Sequence, residues 1–367
     1  MKFSKLIKPI IPYGLVMWSR ERKRKATFWD LYKEFLEKGT KVEFQKESSF
    51  KQVVSVQGWG HSGSSAVVDM LREYDTVLPV GGVDLINSLA KIDDYTIEVD
   101  FLRLAGGMLE IERYLDGNNF FQNDAVLQRF MLMARSTPFF YASDETRNIL
   151  FEFFKRISIS FGGVMSRSHY NTYLQQADER NPQIFFLRKM SLKEYRELCR
   201  TCINSLFATL NRTNKKKILV LDQFFGDGNY EDFKRNYDYC PNLKTIFVWR
   251  DPRDVFEEAK WVGAEWLPTK DAESFIEWFR VITSDQKICD TEDFISVRFE
   301  DLCLHYEETK SRIEKYLGLT PKQHVAPKTA FDPGISIRSV RLWQKYTELN
   351  KEYEKIAKAL PDYLYKN

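Results

Sequence analysis

From Gln52 to Tyr74 the chain reads QVVSVQGWGHSGSSAVVDMLREY, an apolar strand, a glycine-rich loop and an amphipathic helix. The glycines let the backbone turn so that successive N–H groups point inward, and the helix N-terminus adds about half a positive charge. Strand, glycine loop and helix in this order are typical of a phosphate-binding loop. The segment therefore predicts a phosphate site in preference to a simple tight turn.

The spacing of this loop matches the G-x-x-x-x-G-K-[ST] motif except at one position. Its candidate phosphate ligands are the backbone and hydroxyl groups of Gly60, Ser62, Gly63, Ser64 and Ser65. Ser64 stands where nucleotide triphosphatases place the lysine that neutralises the charge of the β- and γ-phosphates. The missing lysine argues against ATP or GTP hydrolysis, and a P-loop kinase is kept as an alternative.

Short apolar runs rich in Val, Ile and Phe recur along the chain and alternate with helical patterns. They are Val53–Gln57, Thr76–Val80, Ile218–Asp222, Thr245–Trp249 and Ile295–Phe299. This pattern predicts the α/β class, with a three-layer P-loop-like fold around a parallel sheet of about five strands.

The remaining segments suggest how the domain is organised. Residues 98–213 have mainly helical sequence patterns, which predict a large helical insertion. We expect a sheet domain over residues 46–367, preceded by a basic N-terminal helical arm over residues 1–45. Residues 339–360 predict one C-terminal helix with an apolar stripe. The stripe consists of Val340, Trp343, Tyr346, Leu349, Tyr353 and Ile356.

Composition limits the class of protein. The 367 residues, 43% of them hydrophobic, are ample for a large core. The net charge of +3 does not favour nucleic acid, and the one dense basic run, residues 20–25, lacks interleaved aromatic residues, so we predict no nucleic-acid partner. The odd number of cysteines, five, indicates a reducing compartment, and we predict a cytoplasmic protein.

Residues 1–25 combine apolar side chains with many Lys and Arg residues. The segment is too short and too interrupted by Pro and Gly to span a bilayer. One interpretation is peripheral contact with an anionic inner leaflet, to which each basic residue contributes about 1 kcal/mol. The other is a helix packed on the domain, and the sequence leaves both open.

Four separated segments resemble the sulfotransferase superfamily, and the bacterial glycan-modifying type in particular. Residues 62–65, SGSS, resemble the end of that family's 5′-phosphosulfate loop, and residues 244–255, KTIFVWRDPRDV, resemble the strand whose final arginine holds the 3′-phosphate. Residues 297–302, VRFEDL, and residues 336–346 resemble later family segments, the first of them scaffold. The N-terminal arm and the insertion have no counterpart in the resemblance.

The resemblance implies an enzyme that transfers a sulfuryl group from 3′-phosphoadenosine-5′-phosphosulfate (PAPS) to a hydroxyl group of a glycan, either a polysaccharide or a glycolipid. A protein tyrosine or a small phenol stays open as the acceptor. The resemblance implies that Arg250 binds the 3′-phosphate, with Arg338 and Arg341 nearby, and that no metal ion is needed. A guanidinium suits this role because its fork binds phosphate oxygens in pairs.

Two positions depart from the family pattern. His61 stands where the family has a Lys or Arg that stabilises the departing phosphate, and Glu258 stands where the family often has a serine. A carboxylate repels a phosphate, so we expect either that Glu258 points away from the site or that the register differs. Both departures keep open a non-catalytic nucleotide-binding protein of the same fold.

Three side chains are candidates for acceptor chemistry. In glycan-modifying relatives the general base is a carboxylate soon after the second strand, and Asp84 occupies that place; helix N-capping is its alternative role. His61 is the other candidate base. Asp222, at the end of a predicted strand, is a candidate for contact with the acceptor because ligands of parallel sheets bind at that edge.

Overall fold

The computed structural model describes most of the chain. The described residues are 28–80, 100–116, 130, 143–162, 183–213, 215–222, 224, 230–283 and 290–366. Two predictions fall outside them: the membrane contact of residues 1–25 and the role of Asp84.

A parallel five-stranded sheet forms the centre of the fold, in the order β2-β5-β1-β6-β7, and β3 and β4 form a separate antiparallel pair. The strands of the described residues are β1 (Gln52–Gly58), β2 (Val77–Val80), β3 (Ser158–Gly162), β4 (Gln183–Leu187), β5 (Ile218–Asp222), β6 (Leu243–Trp249) and β7 (Phe294–Arg298). The predicted α/β class with about five parallel strands is confirmed. The five strands of the sheet match the predicted runs to within two residues, and Phe299 belongs to the following helix instead of β7.

Helices cover both faces of the sheet. They are α1 (Phe28–Glu37), α2 (Ser64–Arg72), α3 (Asp100–Asp116), α4 (Asp144–Ile157), α5 (Leu192–Leu210), α6 (Tyr230–Tyr239), α7 (Pro252–Trp261), α8 (Ala272–Thr283), α9 (Phe299–Leu304), α10 (Tyr306–Leu317), α11 (Pro333–Ser336), α12 (Leu342–Lys345) and α13 (Asn350–Ala359). None of the described helices is long and apolar enough to cross a membrane.

Side chains of the sheet pack into two separate cores, one on each face, because successive residues of a strand point to opposite faces. Val53, Leu219 and Leu221 pack with helices α3, α4 and α5 on one face. Val54 and Val56 pack with α2, α9 and α10 on the other face. The sheet is therefore the middle of three layers, and its strands are apolar on both sides.

The long segment between β2 and β5 is only partly as expected. It contains helices α3, α4 and α5, in line with the helical prediction. It also contains the β3–β4 pair, in which Ser158 pairs with Leu187 directly after the end of α4. The sequence did not predict this pair.

The described part of the N-terminal arm packs onto the insertion. The ring of Tyr32 on α1 lies 5.2 Å from that of Phe151 and 5.3 Å from that of Phe154, both on α4. Tyr32 and Phe35 are buried in the same core as the insertion helices. The proposed domain boundary at residue 45 stays a prediction.

The C-terminal segment is not the single helix that its apolar stripe predicted. Helix α12 is one turn long, a 3-10 turn follows at Thr347–Leu349, and only α13 is a regular helix. Tyr346 has φ −114° and ψ 91°, which ends the first turn, and its side chain is 46% exposed. The prediction failed because the backbone of α12 is held by a contact with α7, described below.

Candidate functional site

The glycine-rich loop lies at the point where the sheet changes direction. Strands β5 and β2 lie on one side of β1, and β6 and β7 lie on the other. Loops after the neighbouring strands separate at such a point and leave a crevice at the carboxyl edge, where ligands of open α/β sheets bind. Residues 59–63, Asp222 at the end of β5 and Arg250 directly after β6 all reach this edge.

The loop offers backbone donors for an anion. Gly63 is the N-cap of α2 and has φ 90°, a left-handed conformation that favours glycine. The N–H of Ser62 donates to the carbonyl of Trp59 at 2.8 Å. Among the described residues, no acceptor is found for the N–H groups of Gly60, His61 and Gly63. These groups can therefore meet a phosphate at the helix N-terminus.

Close packing fixes the shape of the loop. A Cβ atom at Gly58 would lie 2.0 Å from Oγ of Ser62, and one at Gly63 would lie 2.4 Å from the ring of Phe299. Within the described part of the chain, the buried hydroxyl of Ser62 has no hydrogen-bond partner. A buried hydroxyl of this kind is one that a ligand oxygen can satisfy.

Arg250 borders the loop from the neighbouring strand. Its Nη1 donates to the carbonyl of His61 at 2.8 Å and to the carboxylate of Glu258. Its Nη2 donates to the carbonyl of Ser339 at 2.6 Å, and the guanidinium lies 4.9 Å from the centre of the Phe299 ring. The predicted 3′-phosphate ligand thus lies beside the glycine-rich loop. Both of its Nη atoms already have protein partners, whereas its buried Nε has none among the described residues.

Glu258 does not point away from Arg250, which contradicts the first of the two alternatives expected for it. Glu258 lies on α7, two turns after Arg250, which brings its carboxylate back to the guanidinium. Its other oxygen lies 3.7 Å from Nδ1 of His61. Burial alone would raise the pKa of Glu258, but the contact with His61 and the charge of Arg250 outweigh it and hold the pKa below its ordinary value. Glu258 is therefore an anion at neutral pH that lies between Arg250 and the ring of His61.

His61 carries an aromatic neighbour that the sequence analysis missed. The rings of His61 and Trp266 stack with centroids 5.7 Å apart and 14° between their planes. Trp266 lies in the loop after α7 and is 65% exposed. Its ring also covers Gly60, where a Cβ atom would lie 1.8 Å away. No motif marks Trp266, because only the path of the loop brings it over residues 60 and 61.

Ser65 and Asp222 meet at the carboxyl edge. The hydroxyl of Ser65, in the first turn of α2, donates to Oδ2 of Asp222 at 3.0 Å. The predicted acceptor contact of Asp222 therefore lies next to the phosphate loop, and Ser64 is buried at the start of the same helix. A hydroxyl and a carboxylate in this arrangement are the protein ligands that P-loop enzymes use for Mg²⁺.

Arg338 and Arg341 lie on the C-terminal segment that crosses Arg250. Arg338 is exposed and belongs to the 3-10 turn that ends at Ser339. Arg341 has φ 57°, and its N–H donates to Asp254 at 2.7 Å, as does the N–H of Trp343 at 3.2 Å. Burial raises the pKa of Asp254 to about 6. These bonds tie α12 to α7, and the bond from Arg250 to the carbonyl of Ser339 brings the backbone between the two arginines next to Arg250.

Arg253 pairs with the neighbouring carboxylate of Asp251 and has a structural role. It forms two hydrogen bonds with Asp251, of 2.9 and 2.6 Å, and its guanidinium lies 3.7 Å from the centre of the Trp343 ring. Asp251 also caps α7, and its own N–H donates to Glu300 at 2.6 Å. The segment from residue 297 to residue 302 is thus scaffold that holds the turn after Arg250.

Glu300 makes the stability of this scaffold depend on pH. Glu300 is fully buried, and burial raises its pKa from an ordinary value of 4.5 to about 7. The folded chain keeps this proton to a higher pH than the unfolded chain, so the contribution to stability is full below pH 4.5 and falls as pH rises to about 7. The free energy of unfolding of the wild type should fall between pH 5 and pH 8 because Glu300 loses its proton. In Glu300→Gln this fall should be smaller by about 2–3 kcal/mol.

Denaturant titrations at both pH values measure this effect. Glu307→Gln is the matched control, because it removes an exposed carboxylate from the neighbouring helix. If the free energy of unfolding of Glu300→Gln changes between pH 5 and pH 8 as much as that of the wild type, Glu300 is already ionised in the folded protein.

No protein-family model matches the chain, and no curated protein sequence matches it. Among solved structures, it is similar to the sulfotransferase domain of the Synechococcus PCC 7002 olefin synthase, at 13% identity over 89% of this chain and 100% of that chain, with a TM-score of 0.41. It is similar to the sulfotransferase domain of the curacin biosynthetic pathway, at 14% identity over 86% of this chain and 99% of that chain, with a TM-score of 0.36. It is also similar to sulfotransferase STF9 from Mycobacterium avium, at 11% identity over 86% of this chain and 76% of that chain, with a TM-score of 0.38.

Proposed function

We propose that the chain is a sulfotransferase that transfers a sulfuryl group from a nucleotide 5′-phosphosulfate to a hydroxyl group of a glycan. The observation that carries the proposal is the contact between the phosphate loop and Arg250, whose Nη1 lies 2.8 Å from the carbonyl of His61. Two separate strands bring the glycine-rich loop and a buried arginine to one crevice at the carboxyl edge of the sheet, which is where nucleotides bind in open α/β folds. The motif resemblance of residues 62–65 and 244–255 supports the same activity.

PAPS is the donor in the family that these motifs resemble, and its two ends fit this chain differently. The 5′-phosphosulfate fits the N–H groups of Gly60, His61 and Gly63, with the hydroxyls of Ser62, Ser64 and Ser65 around them. The 3′-phosphate does not fit the present arrangement, because Glu258 already holds Arg250. Arg338 and Arg341 are proposed as further contacts of the nucleotide.

The chain's contribution to the reaction would be positioning and charge. In sulfuryl transfer, as in phosphoryl transfer, charge grows on the bridging oxygen while the acceptor attacks in line. The free N–H groups of the loop face such charge without reorganisation. Nδ1 of His61 faces Glu258, which leaves Nε2 as the ring nitrogen available to the leaving oxygen, and Nε2 donates there only when the ring carries both protons. Asp84 remains the proposed general base.

Two other functions are kept as alternatives. A P-loop kinase is favoured by the 3.0 Å contact between Ser65 and Asp222, and disfavoured by serine at position 64. A non-catalytic nucleotide-binding protein of the same fold is favoured by His61 and Glu258. The glycan acceptor, the cytoplasmic location and the contact of residues 1–25 with the inner leaflet rest on the sequence alone.

Ligand-dependent unfolding separates these functions. We expect an adenosine 5′-phosphate ligand, either AMP or adenosine 3′,5′-bisphosphate, to raise the unfolding free energy by about 2.7 kcal/mol at a concentration a hundredfold above its dissociation constant. Transfer of radiolabelled sulfate from a phosphosulfate donor to a bacterial polysaccharide or glycolipid is the matching activity assay. Lys355→Ala, which breaks an exposed ion pair between α8 and α13, should respond to ligands as the wild type does.

The contrary results point to the alternatives. Stabilisation by ATP with Mg²⁺, and not by either adenosine 5′-phosphate ligand, would favour the kinase. Nucleotide binding without sulfate transfer from any donor would favour the non-catalytic protein.

A further inference from the structure

Arg250 is enclosed by protein on the side where a phosphate would have to bind. Its side chain is 2% exposed. Nη1 is shared between the carbonyl of His61 and Glu258, Nη2 is bound to the carbonyl of Ser339, and Phe299 covers one face of the guanidinium. A guanidinium binds a phosphate by offering a pair of accessible N–H groups. Nε of Arg250 is buried and has no hydrogen-bond partner among the described residues, and with 2% of the side chain exposed no pair of its N–H groups reaches solvent.

Glu258 supplies the negative charge that a phosphate would bring to this position. Its carboxylate binds Arg250 directly, and its second oxygen lies 3.7 Å from Nδ1 of His61. A phosphate brought to the same guanidinium would meet this carboxylate, and like charges in contact repel strongly when partly buried. The arginine and the glutamate together leave this part of the crevice neutral.

The helix that carries Glu258 is fixed on both sides. Asp251 caps α7 at its N-terminus. Val255, Phe256 and Ala259 are buried along its length. The carboxylate of Glu257, the preceding residue, accepts a hydrogen bond from Tyr353 on α13. Glu258 therefore cannot leave Arg250 through a shift of its helix, and only a change of its own rotamer could release it.

We infer that Glu258 stands in for the 3′-phosphate of the donor, so that this chain takes a nucleoside 5′-phosphosulfate whose ribose carries no 3′-phosphate. The inference rests on the proposed sulfuryl transfer and names the class of donor for it. The acceptor oxygen forms the new bond to sulfur, the bond from sulfur to the bridging oxygen breaks, and the nucleoside 5′-phosphate leaves with the electron pair. The acceptor proton passes to the general base.

The ratio of two dissociation constants tests the inference. Calorimetric titration of the wild type with AMP and with adenosine 3′,5′-bisphosphate compares ligands that differ only in the 3′-phosphate. We expect AMP to bind at least about tenfold more tightly than the bisphosphate. We also expect sulfate transfer from adenosine 5′-phosphosulfate to exceed transfer from PAPS.

Glu258→Ser and Glu258→Gln show whether this residue causes the preference. Each frees Arg250 from its anionic partner, so the bisphosphate should gain about tenfold or more relative to AMP. The glutamine variant keeps an acceptor for Arg250 and remains informative if the serine variant does not fold. The ratio of the AMP and bisphosphate dissociation constants of the wild type tests the inference even if neither variant folds.

The outcomes separate this inference from the proposed function. Tighter binding of the bisphosphate by the wild type, with sulfate transfer from PAPS, would overturn the inference and leave the sulfotransferase standing. An AMP preference that persists unchanged in both variants would also overturn the assignment to Glu258. Absence of binding by either nucleotide would overturn the proposed function and the inference with it.

Discussion

Arg250→Ala should lower the free energy of unfolding by about 3–5 kcal/mol, the cost of removing one partner from a buried ion pair. The substitution leaves Glu258 without its cationic partner, and it leaves the carbonyl groups of His61 and Ser339 without their donor. It also opens a space against the ring of Phe299. Because the His61 carbonyl belongs to the phosphate loop, the loop should loosen and nucleotide binding should be lost as well.

Equilibrium unfolding in urea measures the first effect, and titration with AMP measures the second. Arg212→Ala is the matched control, because it removes an arginine from an exposed ion pair with Glu145 and should change stability by no more than about 0.5 kcal/mol. The double variant Arg250→Ala, Glu258→Ala should lose less than the two single losses combined, because the residues contact each other. A loss below about 1 kcal/mol in Arg250→Ala would show that the buried contacts do not form.

Gly63→Ala should destabilise the protein by about 2–5 kcal/mol, from the left-handed backbone and from forced repacking together. The backbone at Gly63 has φ 90°, which an alanine adopts only at a cost. The new Cβ would lie 2.4 Å from Cδ2 of Phe299 and 3.2 Å from its Cβ, so rotation of the ring alone does not relieve the contact. Phe299 supports Arg250, and both sides of the proposed phosphate site should shift.

Gly318→Ala separates the two costs. Gly318 ends α10 with φ 65°, and nothing lies within 4 Å of the Cβ position, so only the backbone term of about 1–2 kcal/mol should appear. The urea concentration at the unfolding midpoint should be highest for the wild type, lower for Gly318→Ala and lowest for Gly63→Ala. Equal midpoints for the two variants would contradict the packing of Gly63 on Phe299.

The sheet could be predicted from the sequence because each strand is buried on both faces. A run such as Ile218–Asp222 is apolar at nearly every position, and the turn residues around it mark its ends. The β3–β4 pair could not be predicted in this way. Its two strands lie about twenty residues apart inside a segment with helical patterns, and nothing local in Ser158–Gly162 says which strand it pairs with.

The candidate site could be predicted in its chemistry but not in its pairing. The glycine loop and Arg250 each follow an apolar strand, and parallel strands bring such ends to one edge. The partner of Arg250 depends on the course of α7, which the sequence does not specify. Repulsion between a carboxylate and a phosphate therefore could not predict that Glu258 contacts Arg250. The same limit applies to α12, whose N–H groups are fixed by Asp254 on another helix.

The order of the strands also sets the order in which the chain can fold as it is synthesised. β1 has no neighbour in the sheet until β5 or β6 exists, since β5 lies between β2 and β1. Gln52 must wait for Ile218, far along the chain, and such distant pairings slow folding. A nascent chain that has left the ribosome only as far as the insertion carries an apolar strand with both edges open, the state in which strands pair with other molecules. In the folded chain Val53 packs in the core of the insertion helices, so these helices can cover one face of the strand before its sheet neighbours are made.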